Sequence, residues 1–159
     1  MGSEQSKHII ISNSVDETFD LGVKISKKLS IAPRTGHIIA LNGDLGSGKT
    51  CLTKGIACGL GVTETVTSPT YNIVNEFFLV GSGKWVVGSR VLYHIDAYRL
   101  NDERDFEDIG GQDILSSDNI CIIEWSEKIK NLLPEDTITI NIEITGLETR
   151  KITIKGISL

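Results

Sequence analysis

Residues Gly43-Asp44-Leu45-Gly46-Ser47-Gly48-Lys49-Thr50 satisfy every fixed position of the phosphate-loop pattern G-x-x-x-x-G-K-[ST], and the apolar run Ile38-Ile39-Ala40-Leu41 stands directly before them. A strand that ends in a glycine-rich turn and restarts as a helix aims backbone N–H groups and a positive helix end at one point, where polyphosphate charge is stabilised. Gly43, Gly46 and Gly48 permit the turn and the close approach. Lys49 can reach the β- and γ-phosphates, and the Thr50 hydroxyl can ligate Mg²⁺. The pattern therefore demands a strand, a loop and a helix in that order, which is the start of an α/β sheet.

At 159 residues the chain is long enough for one core and too short for two ordinary domains. A single phosphate-loop domain over residues 1–159 is expected, with residues 1–8 read as disordered or vector-derived. Met1-Gly2-Ser3-Glu4-Gln5-Ser6 matches the N-myristoylation pattern, but nothing downstream supplies a second membrane signal, so it is set aside. The net charge of −5 argues against direct nucleic-acid binding, which needs a basic surface; any RNA would be held through another protein. Cys51, Cys58 and Cys121 are odd in number, lack metal-ligand spacing and fall in apolar patterns, so all three are expected to be buried reduced thiols. No apolar run approaches the ~18 residues of a membrane span, and no secretory signal is visible, which points to the cytoplasm and to no membrane partner.

Along the chain, Ile9 to Ile11 suggests a short strand, and Ser14-Val15-Asp16-Glu17 is a capping-box pattern opening a helix whose apolar face would hold Phe19, Val23, Ile25 and Leu29. His37 to Asn42 is the strand feeding the loop. Lys49 to about Leu60 is the helix after it, stopped by Gly61, with Leu52, Ile56 and Leu60 toward the sheet. Tyr71 to Val80, Gly81-Ser82-Gly83 and Lys84 to Val87 read as a hairpin or meander with a loose tip. Val91 to Ile95 is a further strand, Glu103 to Ile109 a short acidic helix, Ile120 to Glu124 a buried strand and Glu127 to Leu132 a short helix. Ile138 to Ile142 and Ile152 to Ile154 alternate as two paired strands exposed on one face. The expected architecture is α/β: a mainly parallel phosphate-loop sheet flanked by helices, with antiparallel strands at its margins.

A phosphate loop alone only binds; hydrolysis also needs acids that hold Mg²⁺ and orient water. Ile120-Cys121-Ile122-Ile123-Glu124 places a carboxylate at the end of a buried strand, and Leu92-Tyr93-His94-Ile95-Asp96 offers a second. Strand C-termini share the ligand edge of such a sheet, so both acids could converge there, unless each only caps the next segment. His94 alternates with Asp96 and could share its face. Ser68-Pro69-Thr70 could sense a γ-phosphate or form a plain turn.

Taken together, Gly-Asp-Leu-Gly-Ser-Gly-Lys-Thr at 43–50, Ser-Pro-Thr-Tyr at 68–71, His-Ile-Asp-Ala-Tyr-Arg-Leu at 94–100 and Ile-Glu-Trp at 123–125 resemble the TsaE (YjeE) family over nearly the whole chain. The resemblance implies a bacterial ATPase that works with TsaB and TsaD to place threonylcarbamoyl on the adenosine beside the tRNA anticodon, meeting tRNA only through that complex. It implies ATP and Mg²⁺ as cofactors and a weak activity dependent on those partners. Its nucleotide-contacting set maps onto Gly43, Asp44, Leu45, Gly46, Ser47, Gly48, Lys49, Thr50, Cys51 and Arg150. The metal would fall to Thr50, Glu124 and Asp96, and catalysis to Lys49, Asp96 and Glu124, with Trp125 packed nearby. Asp16 to Thr18 would lie near the base.

Two departures stand out: the segment after Leu100 lacks the family's usual proline and carries Arg104 where an acid is common, and Gly81 to Trp85 lengthens the hairpin. No second basic residue is evident near the loop, so a partner is expected to complete the site. Two other classes share the loop, a small-molecule kinase and a nucleotide-sensing module without turnover. The kinase needs an arginine-bearing lid, and residues 100–118 supply Arg104 alone among seven acids. A GTPase is disfavoured by the lack of an Asn-Lys-x-Asp motif.

Overall fold

A computed structural model describes residues 5–31, 36–67, 72–79 and 91–159. Its frame is one seven-stranded sheet, built from β1 (Lys7–Ser12), β2 (His37–Gly43), β3 (Val74–Phe78), β4 (Val91–Asp96), β5 (Ile120–Glu124), β6 (Ile138–Ile144) and β7 (Arg150–Lys155). The spatial order is β1-β7-β6-β2-β5-β4-β3. The four central strands β6, β2, β5 and β4 are mutually parallel, while β7, β1 and β3 add antiparallel at the two margins. This is the mixed sheet expected from sequence. β1 opens at Lys7, so the first strand takes in Lys7 and His8, the last two residues of the stretch read as disordered or vector-derived.

The helices α1 (Val15–Ile31) and α2 (Lys49–Gly59) cover one face; α3 (Glu103–Asp108), α4 (Gly111–Leu115) and the 3₁₀ segments Ala97–Arg99 and Ser126–Leu132 lie toward the other. In the larger core cluster the strand residues Ile39, Leu41, Leu92, Ile120, Ile122 and Ile140 meet Ile25 and Leu29 of α1 and Leu52 and Ile56 of α2. The second cluster, Ile95, Leu100, Phe106, Cys121, Ile123 and Ile129, fills the opposite side. β6 and β7 alternate as expected, with Ile138, Ile140, Ile142, Ile152 and Ile154 buried and the residues between them partly open.

The start of α1 is a modified capping box. The Glu17 N–H donates to Ser14 Oγ at 3.1 Å, but the Glu17 carboxylate accepts from the Asn13 N–H at 2.6 Å, one residue before the cap. The buried stripe of α1 is Thr18, Leu21, Gly22, Ile25, Ser26 and Leu29; Phe19 and Val23, expected on it, are only half-buried. The stripe contains small residues because α1 and α2 touch backbone to backbone. A Cβ on Gly22 would stand 2.5 Å from the Leu52 carbonyl oxygen, and one on Gly55 would overlap the Phe19 carbonyl oxygen. One on Gly59 would overlap Ser26 Oγ. α2 ends in a Schellman motif, with Gly61 N–H donating to Cys58 O at 3.1 Å and Val62 N–H to Ala57 O at 3.0 Å.

Cys121 is buried, Cys51 is half-buried and Cys58 is exposed, which corrects the expectation for Cys58. Burial pushes the thiols of Cys121 and Cys51 above their ordinary range, so neither is poised as a nucleophile. The Ser68-Pro69-Thr70 segment, Tyr71, Val80, the Gly81-Ser82-Gly83 tip and the Lys84 to Val87 segment lie outside the described residues. Among the described residues no helix is long and apolar enough to cross a membrane.

Candidate active site

The register of the central strands assembles the site. Leu41 of β2 pairs with Glu124 of β5, and Glu124 pairs with Asp96 of β4, so the loop and both acids share one edge of the sheet. Alternation along β4 and β5 puts His94, Asp96 and Glu124 on the face that α1 and α2 cover. A cleft of about 460 Å³ opens there, lined by Leu45, Gly46, Gly48, Lys49, Thr50, Asp96, Tyr98, Arg99, Glu124 and Trp125.

Gly46 and Gly48 have φ of +78° and +109°, values that favour glycine, and among the described residues no side chain caps the start of α2. The first-turn N–H groups of a helix have no partner within it, so this end suits an anion. Lys49 is only 8% exposed; its Nζ donates to Gly43 O at 2.6 Å and Asp44 O at 3.1 Å, and sits 5.1 Å from the centre of the Trp125 ring. Trp125 also packs on Tyr98 at 5.1 Å between ring centres. With φ +57°, it is the only non-glycine residue of positive φ among the described residues, a conformation costing on the order of 1–3 kcal/mol.

Asp96 does cap the following segment: its Oδ1 accepts from Tyr98 N–H at 3.0 Å. It nevertheless lines the cleft, so the two roles coexist. Glu124 is 3% exposed, with Oε2 3.5 Å from Nε2 of the fully buried His94.

Not every expected residue lines the cleft. Gly43 and Asp44 border a neighbouring groove of about 400 Å³ and turn their carbonyls to Lys49. Ser47 is buried, and the Cys51 thiol donates to Val15 O at 3.3 Å, toward α1. Arg150 braces the loop from outside the cleft: Nε donates to Ser47 O at 2.9 Å and Nη2 to Gly46 O at 3.3 Å, while Nη1 holds Gly146 O and Thr149 O. It is neither a solvated strand charge nor a cleft wall. Arg150→Ala is expected to leave the fold intact and to weaken about tenfold any uptake of a polyphosphate at the loop, by releasing these two loop carbonyls; isothermal calorimetry against wild type, with a nucleoside triphosphate as the probe, measures it. Sequence reasoning misses Tyr98 and Arg99, although both lie within the 94–100 motif. Arg99 places a second cation on the cleft, where the sequence shows none.

This sheet, its glycine loop and the helix behind it define a P-loop α/β protein. The sequence model of the family described as "Threonylcarbamoyl adenosine biosynthesis protein TsaE" matches residues 12–152, and the chain belongs to that family. It is 36% identical to the Treponema pallidum "tRNA threonylcarbamoyladenosine biosynthesis protein TsaE" over 144 residues, covering 91% of this chain and 97% of that one. The Bacillus subtilis protein of the same name is 37% identical over 133 residues, 84% of this chain and 78% of the relative. The crystal structure of Bacillus subtilis YdiB superposes with a TM-score of 0.74 at 27% identity, covering 99% of this chain and 90% of that one.

Proposed function

We propose that this chain is a Mg²⁺-dependent ATPase, acting as one domain, that supports threonylcarbamoyl modification of tRNA with TsaB and TsaD as its partners. One observation carries this reading: Lys49, Thr50, Asp96 and Glu124, from three separate segments, meet on one cleft at the start of α2. The relatives' names supply the pathway.

The donors suit the metal. Among the described residues no cluster of three His, Cys, Asp or Glu forms a cage, whereas a hydroxyl and two carboxylates beside a phosphate loop are the hard, incomplete set that Mg²⁺ shares with phosphates. Bound with the triphosphate, Mg²⁺ would offset charge on the phosphate oxygens. Thr50 and the buried Glu124 would hold it. Asp96 has one oxygen fixed by Tyr98 N–H, which leaves the other to accept a hydrogen bond from the attacking water. Lys49 exchanges its loop carbonyls for phosphate oxygens and stabilises charge as the phosphoryl leaves. Arg99 can add to that field from the cleft wall.

Calorimetry with ATP, with and without Mg²⁺, and phosphate release with and without TsaB and TsaD test the proposal. Binding that is strengthened by Mg²⁺, with slow release that the partners accelerate, is expected. No uptake of ATP or ADP in any of these mixtures would refute it. Normal threonylcarbamoyladenosine in tRNA from a depleted strain would refute the pathway.

A further inference from the structure

His94 stands directly behind Glu124. It is fully buried, does not line the cleft, and its Nε2 lies 3.5 Å from Glu124 Oε2. Among the described residues neither of its ring nitrogens has a hydrogen-bond partner. A buried imidazole without partners is unfavourable, and the nearest remedy is a shift of a few tenths of an ångström that lets Nε2–H donate to Oε2. Glu124 is itself buried, on the face shared with His94 and Asp96, so one carboxylate oxygen can rest on the imidazole while the other serves the cleft.

We infer that His94 is a positioning residue that donates from Nε2 to Glu124 and fixes that carboxylate for the Mg²⁺–nucleotide complex. This rests on the proposed ATPase reading. Groups that orient metal-binding carboxylates typically change metal affinity about 10–100-fold when removed.

Two neutral variants separate a donor at one ring position from mere filling of space. His94→Gln carries its amide nitrogen near the place of Nε2; His94→Asn carries it near that of Nδ1, out of reach of Glu124. ADP affinity is measured by calorimetry with and without Mg²⁺, alongside thermal melting. The Mg²⁺-dependent gain in affinity is expected to stay within about threefold of wild type in His94→Gln and to fall at least about tenfold in His94→Asn. Mg²⁺-free affinity should stay unchanged in both. Equal Mg²⁺-dependent gains in the two variants, or the reverse order, would overturn the inference. Should His94→Asn fail to fold, His94→Leu, of similar size and without a donor, replaces it on the same terms; should His94→Gln fail, a Mg²⁺-dependent gain in His94→Asn within about threefold of wild type overturns the inference and a loss of at least about tenfold at unchanged Mg²⁺-free affinity supports it. Absence of nucleotide binding by wild type would instead strike the ATPase reading.

Discussion

Lys49→Ala is expected to lower ATP hydrolysis by about 10²-fold or more while leaving the protein folded. The side chain is nearly buried, and its Nζ is held by two loop carbonyls and the Trp125 ring at the mouth of the cleft. Those contacts are replaceable. The Gly43 and Asp44 carbonyls can turn to water once the amine is gone, so thermal melting should move by only a few degrees. The charge on a transferred phosphoryl group has no such substitute, because a preorganised cation in a partly closed cleft is worth far more than a water dipole. Phosphate release in the presence of TsaB and TsaD measures the effect. A wild-type rate would mean that Lys49 has no part in the chemistry.

Gly55→Val is expected to destabilise the protein by about 3 kcal/mol, a drop of roughly 10 °C in melting temperature for a chain of this size. The added atoms would have to occupy the space of the Phe19 carbonyl on α1, and backbone cannot move aside as the tip of a flexible side chain can. Lys54→Val is the control, since it places the same β-branched side chain on an exposed position of α2 without the overlap. Equal melting temperatures for the two variants would show that the helices do not depend on this close approach.

Much of this is readable in the chain, for physical reasons. The loop, β2 and α2 are local in sequence and carry fixed residue types, so a single pass finds them. The strand-end acids are visible because four apolar residues precede Glu124 and leave it nowhere to go but the sheet edge. The α1 stripe escapes a hydrophobicity pattern because it is built from Gly22, Ser26 and Thr18 as much as from leucine and isoleucine, and small residues are silent there. The Gly55-x-x-x-Gly59 spacing that answers it on α2 is the available signal. Arg150 cannot be placed from sequence, because its loop partners are backbone carbonyls about a hundred residues away, and carbonyls have no letter in a sequence.

Strand β1 lies at the sheet margin, and among the described residues β7 is its only strand partner, although the two sit at opposite ends of the described chain. During synthesis the first strand must therefore wait, unpaired, until the last has emerged. The same late segment brings Arg150, so the phosphate loop receives its brace only after a further 103 residues beyond Ser47 have been made.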